Sequence, residues 1–171
     1  QSAPVRYIEI LEPIRVQDGD KSATLLPCDR YEMRFEIDFP TPVIGNQVVD
    51  FVVDEDTFRT EIMAARTFGF AHEVEALRQA GLARGGSLEN AVVIDGDDIL
   101  NPGGLRMERE FVRHKALDAI GDLYVLGAPL LGRYEGYKAG HALNNRLVRA
   151  LLAAPHAWRE VTRVPELARA G

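Results

Sequence analysis

The sequence predicts an α+β domain. Three observations carry that reading: strand-like alternation in the first fifty residues, helix-period apolar stripes in the second half, and Gly, Pro and Asn breaks between them. Val5-Arg6-Tyr7-Ile8-Glu9-Ile10-Leu11 and Tyr31 to Phe39 alternate apolar and polar side chains, the pattern of half-buried strands. Gln17-Asp18-Gly19-Asp20 between them has the chemistry of a tight hairpin turn. Pro40, Pro42 and Gly45 then interrupt the pattern. Asp54 is a candidate N-cap for a helix to about Arg66 that carries Phe58, Ile62 and Met63 inward. Thr67-Phe68-Gly69-Phe70 falls at the end of that helix, where a hydroxyl and freed backbone donors can face a site, the plainer alternative being a C-terminal turn with core aromatics. A second helix spans about Ala71 to Ala80 and stops at Gly81, and Gly85-Gly86 forms a loop. Ala91 to Asp95 reads as a buried strand, and Asn101-Pro102-Gly103-Gly104 turns the chain into a long helix, about Glu108 to Leu126. A strand from about Arg133 to Lys138 leads through Gly140 into a last helix, His141 to about Ala153. No internal repeat or low-complexity linker is present.

Composition excludes several classes of function. With 171 residues, 46% of them hydrophobic, the chain can bury one sizeable core. The formal charge of -6 leaves no dense Lys/Arg stripe to displace counterions from a nucleic acid. The lone Cys28 excludes an internal disulfide and fits a reducing compartment. No apolar run approaches the roughly 20 residues that span a bilayer, and no signal peptide opens the chain, so the expectation is a soluble, cytoplasmic protein. Beginning at Gln1 rather than Met, it reads as a fragment or a processed product.

The most informative stretch is His114-Lys115-Ala116-Leu117-Asp118-Ala119-Ile120-Gly121-Asp122. At 3.6 residues per turn, His114, Asp118 and Asp122 stack on one stripe of the long helix. An imidazole and a carboxylate one turn apart can hold two corners of a tetrahedral zinc site. By spacing alone the same stripe also reads as a solvated acidic face with a capped histidine. His141 opens the last helix, where the positive end of the dipole disfavours an imidazolium unless an acid compensates, and Asp122 is the obvious acid. A capping role is the plainer alternative for His141. His72 and His156 read as surface residues, and Gly85-Gly86-Ser87 is too short and generic for a phosphate loop.

Four segments occur here in one order: Arg66 to Phe70, Gly85-Gly86-Ser87, Phe111 to Leu123, and Gly140-His141-Ala142-Leu143-Asn144-Asn145. Together they closely resemble the C-terminal half of the UDP-3-O-acyl-N-acetylglucosamine deacetylases, zinc amidases of lipid A biosynthesis in Gram-negative bacteria. The likeness runs from about Val5 to Thr162. The His-Lys-x-Leu-Asp-x-x-Gly-Asp and Gly-His-x-Leu-Asn elements are specific in combination.

The resemblance implies a two-layer sandwich of a mixed β-sheet and helices, with a small βα insert over about 67–95, and residues 1–171 as the C-terminal domain. It implies hydrolysis of the N-acetyl group of UDP-3-O-(3-hydroxyacyl)-N-acetylglucosamine, with zinc as cofactor. His114 and Asp118 match two of three protein zinc ligands, and Lys115 a lysine that contacts substrate beside the metal. His141 matches the catalytic histidine, oriented by Asp122, and Thr67 a threonine that polarises the amide carbonyl or holds the oxyanion. Lys21, Asp38, Phe39 and Lys138 match positions that hold the UDP moiety. The insert, with Phe68, Val74, Leu77, Ala83 and Leu88, resembles an apolar passage for the acyl chain; an amphipathic helix packed on the core is the plain alternative. Full-length members carry a first half with a Glu-His pair, the general base and the third zinc ligand. Here no histidine directly follows a glutamate, so the missing partner is an N-terminal half, in the same or another chain. The alternative function is a non-catalytic nucleotide-sugar or acyl-chain binding module.

Overall fold

A computed structural model describes residues 3–81, 85 and 87–164, with the backbone alone described at 75–78. The alternation at the start of the chain gives strand β1, Val5–Ile10, whose Ile8 and Ile10 point into the core. The Gly19 turn closes a hairpin between β2, Ile14–Asp18, and β3, Lys21–Leu26, two strands beyond those expected from the alternation. Their pairing ends at Asp18 and Lys21, leaving a two-residue loop in which Gly19 has φ 58°. A glycine with positive φ in the first loop position matches the right-handed twist of the flanking strands. β4, Tyr31–Asp38, buries Met33, Phe35 and Ile37 on one face and sends Glu32, Arg34 and Glu36 to the other. It pairs antiparallel with β5, Asn46–Val52.

Asp54 does cap a helix, accepting the Thr57 N–H at 2.8 Å, but that helix is short. After α1, Glu55–Thr57, the chain widens into a π-helical turn, Phe58–Ile62, and leaves helical geometry before Arg66. Ile62 is fully buried as expected, whereas Met63 is 56% exposed and does not point inward. Thr67–Phe70 forms strand β6 rather than a helix end, followed by α2, Ala71–Gln79. β7, Ala91–Asp95, pairs parallel with β6, and β8, Asp98–Ile99, pairs antiparallel with β7. This small βαβ unit runs from Thr67 to Asp95. The buried Asn101 ties its end down, receiving the Val93 N–H at 2.9 Å and donating to the Leu88 and Ala91 carbonyls at 2.7 and 2.8 Å.

The long helix α3 runs Glu110–Leu123, and a 3₁₀ turn, Tyr124–Leu126, extends it to the expected end. Val112, Ala116, Ala119 and Leu123, spaced four, three and four apart, form its buried stripe. β9, Leu130–Tyr137, is the spine of the seven-stranded sheet: β4 lies parallel along one edge, and β1 and then β3 occupy the other. α4, His141–Leu152, buries Leu143, Leu147, Val148 and Leu151. β10, Trp158–Arg163, closes the sheet on β1. α3 lies over β4 and β5, α4 over β2 and β3, and the two helices touch. The result is the two-layer α+β sandwich, its core between one sheet face and the helix pair. No described helix is long and apolar enough to cross a membrane.

Gly132 on β9 marks a close approach. A Cβ there would stand 2.6 Å from Ile10 Cγ1 and 3.2 Å from the Leu26 carbonyl oxygen. Gly132→Ala is expected to cost about 1–3 kcal/mol by overpacking, read as a lowered denaturant midpoint. An unchanged midpoint would mean that β1 and β3 can give way.

Candidate active site

α3 and α4 meet where their polar stripes face each other. His114, Lys115, Asp118 and Asp122 come from α3 and His141 from the first turn of α4, and together they form one cluster. His114 is held from behind: its Nδ1 lies 3.1 Å from the Ala65 carbonyl oxygen. A carbonyl only accepts, so Nδ1 carries the proton and the Nε2 lone pair is left free. Nε2 faces Asp118 Oδ1 at 3.4 Å. Ligand atoms about 2.0–2.2 Å from a tetrahedral zinc stand about 3.3–3.6 Å apart, so this pair matches one edge of such a site. The carbonyl bond behind the imidazole is the outer contact that metal-bound histidines use. The donor set therefore fits zinc, with two protein ligands. Among the described residues no group of three or more His, Cys, Asp or Glu side chains is arranged to hold a metal.

The second oxygen of Asp118 faces the rest of the cluster. Oδ2 receives Lys115 Nζ at 2.8 Å and lies 3.9 Å from His141 Nε2. His141 Nδ1 lies 2.9 Å from both oxygens of Asp122, which fixes the proton on Nδ1 because a carboxylate can only accept. Nε2 is thereby presented outward, on a side chain 68% exposed. Asp122 also receives the Asn144 amide N–H at 2.8 Å.

Two further groups border this cluster. A cleft of about 180 Å³ is lined by Lys21, Asp38, Phe39, Lys115 and Lys138, which gathers all four positions expected to hold UDP beside the expected substrate lysine. Lys138 sits at φ 50° and is gripped by Asp20 at 2.9 Å and Asp38 at 3.1 Å. Hydrogen bonding to Asp20, then to Asp38, raises the pKa of Lys138, and the same lysine lowers that of Asp20. On the other side, Phe68 of β6 packs edge-on against Phe39, Phe111 and His114, with centroid distances of 5.7, 5.0 and 6.4 Å. Thr67 is exposed at the start of β6, two residues from the carbonyl that holds His114. Val74 is half-buried, 3.7 Å from where a Gly69 Cβ would sit, and Leu88 is 43% exposed. Ala83 and the Leu77 side chain lie outside the described residues. His72 and His156 are exposed, as the sequence indicated.

Sequence reasoning missed the scaffold of this site. Glu110 is fully buried and accepts the Arg66 backbone N–H, the Arg66 Nε and Nη2, and the Arg106 backbone N–H at 2.7–3.0 Å. This clamp joins the start of α3 to the strip Ala65-Arg66-Thr67. Burial alone would push the Glu110 carboxyl up, but the hydrogen bonds from Arg66 and the two backbone donors outweigh it and hold it below its ordinary value. A glutamate at the head of an apolar helix face was the available signal, though nothing in the sequence names its partner.

The described geometry is a paired imidazole and carboxylate, His114 and Asp118, next to an outward imidazole, His141, backed by a second carboxylate, Asp122, on an α+β scaffold. The chain belongs to the UDP-3-O-acyl N-acetylglycosamine deacetylase (LpxC) family, whose model matches residues 1–153. It is similar to the UDP-3-O-acyl-N-acetylglucosamine deacetylase of Phenylobacterium zucineum, 65% identical over 170 residues, covering 99% of this chain and 58% of that protein. The proteins of the same name from Pseudomonas entomophila and Saccharophagus degradans are each 52% identical, over 163 and 164 residues, covering 94% and 95% of this chain and 54% of each relative. The chain thus spans a little over half the length of the curated relatives it matches.

Proposed function

We propose that this chain supplies one side of the active site of a cytoplasmic zinc-dependent deacetylase. The enzyme would hydrolyse the N-acetyl group of UDP-3-O-(3-hydroxyacyl)-N-acetylglucosamine in lipid A biosynthesis and release acetate. An N-terminal half, in the same or a separate chain, would add the general base and the third metal ligand. The observation that carries the reading is the alignment of His114 Nε2 and Asp118 Oδ1 at 3.4 Å beside the His141–Asp122 pair, in a member of this family. A binding module would have no use for that pair.

His114 and Asp118 would hold the zinc. A zinc ion held there would supply an activated water, with its pKa brought to about 7, and Lewis-acid polarisation of the acetamide carbonyl. His141, with its tautomer fixed by Asp122, presents Nε2 to the reacting groups. In its protonated form it gives a proton to the leaving amine as the C–N bond breaks, or stabilises the oxyanion. The Thr67 hydroxyl would polarise the acetamide carbonyl or hold its oxyanion, a role supported by the family resemblance. Lys115 holds substrate beside the metal, Lys21, Asp38, Phe39 and Lys138 hold the UDP moiety, and the βα insert, with Phe68, Val74, Leu77, Ala83 and Leu88, takes the acyl chain.

The test uses the enzyme formed with an N-terminal half. His141→Ala is expected to retain zinc by elemental analysis and to lower kcat at least about 100-fold. Asp122→Asn should act in the same direction and add little to His141→Ala, since residues of one catalytic unit do not contribute independently. Losses that simply multiply would dissolve the pair, and loss of zinc from His141→Ala would reassign that histidine as a ligand.

A further inference from the structure

Asn144 lies on the buried stripe of α4 between Leu143 and Leu147, only 1% exposed. A buried amide needs partners at both ends. Its Nδ2 donates to Asp122 Oδ2 at 2.8 Å, and its Oδ1 accepts the Tyr134 hydroxyl proton at 2.7 Å. Tyr134 is itself fully buried on β9, its ring stacked 6.1 Å from that of Phe35. Burial pushes the Tyr134 phenol well above its ordinary value, so the hydroxyl keeps its proton and remains a donor.

Direction along this chain is unambiguous. Asp122 offers no proton, and rotating the amide by half a turn would set Asn144 Oδ1 against a carboxylate, acceptor to acceptor. The amide therefore has one orientation, fixed from the sheet by Tyr134. It holds one oxygen of Asp122, and the plane of that carboxylate is what presents both oxygens to His141 Nδ1 at 2.9 Å. We infer that Asn144 is a positioning residue for the deacetylation: it locks the Asp122 carboxylate, and through it the tautomer and direction of His141. This inference rests on the proposed role of His141 and Asp122.

The experiment again uses the enzyme formed with an N-terminal half. Asn144→Leu, of similar volume without the amide, is expected to lower kcat about 10-fold or more, with KM within about twofold and zinc content unchanged. In the Asp122→Asn background the same substitution should cost less than about twofold, because the group through which it acts is already gone. Asn144→Ala serves as the smaller replacement if circular dichroism shows that the leucine variant does not fold. An equal loss in both backgrounds would make Asn144 a packing residue and overturn the inference. So would a wild-type kcat in Asn144→Leu while Asp122→Asn is impaired, which leaves the functional reading intact. If Asp122→Asn is itself fully active, the functional reading fails and the inference with it.

Discussion

Alanine at His114 or at Asp118 is expected to remove zinc and activity together from the complete enzyme. Each supplies one of the two donor atoms that stand 3.4 Å apart, and the Ala65 carbonyl anchors His114 in that position. Losing the metal forfeits several kcal/mol of charge stabilisation, which at about 1.4 kcal/mol per tenfold is on the order of a thousandfold or more in kcat. Elemental analysis and acetate release would be followed in parallel. Asp118→Ala carries a second effect, since Lys115 loses its 2.8 Å partner and gains freedom beside the cleft. Full zinc occupancy in both variants would end the assignment of these ligands.

Arg66→Ala is expected to be the most destabilising single change in the scaffold, at about 3–5 kcal/mol, because it leaves the buried Glu110 carboxylate without its countercharge. Denaturant unfolding measures it. The pH dependence follows from the sign of the shift. Glu110 sits below its ordinary value of 4.5 in the folded protein, so its contribution is present above that value and is lost as the pH falls through the lower, folded value. Glu110→Gln should flatten the stability curve below pH 4.5; an acid limb as steep as in the parent would show that other carboxylates govern it. Since the clamp also carries Ala65 toward His114, Arg66→Ala should loosen zinc in the complete enzyme as well.

The strands with clean alternation, β1 and β4, and the helices α3 and α4 could be read from residue order, because one face of each is buried and the other is not. β5 and β10 were missed because their sides are covered unevenly: Asn46–Val52 and Trp158–Arg163 show little of the two-residue rhythm. β6 reads as a helix end in the sequence because Thr-Phe-Gly-Phe is too short to show a period, and its strand character comes from pairing with β7. The His114, Asp118 and Asp122 stripe was legible because helical spacing is local. The Glu110–Arg66 clamp and the Tyr134–Asn144 contact were not, since their partners lie 44 and 10 residues away, in different elements. A polar residue on an apolar stripe, as at Asn144, announces that a partner exists without saying which one.

The central position of β9 has a consequence for how the chain acquires its shape. Glu36 must find Tyr137, and Glu9 must find Leu131, each more than a hundred residues away, before the sheet has a middle. Such long closures slow folding, placing it with domains that take milliseconds to seconds rather than microseconds. During synthesis at about 5–20 residues per second, β1, β3 and β4 would wait on the order of 5–20 s for their shared neighbour to leave the ribosome. The first strands cannot complete their pairing until the segment that ends four residues before His141 has been made. Assembly of the middle of the sheet and arrival of the His141 helix are thus a single late event.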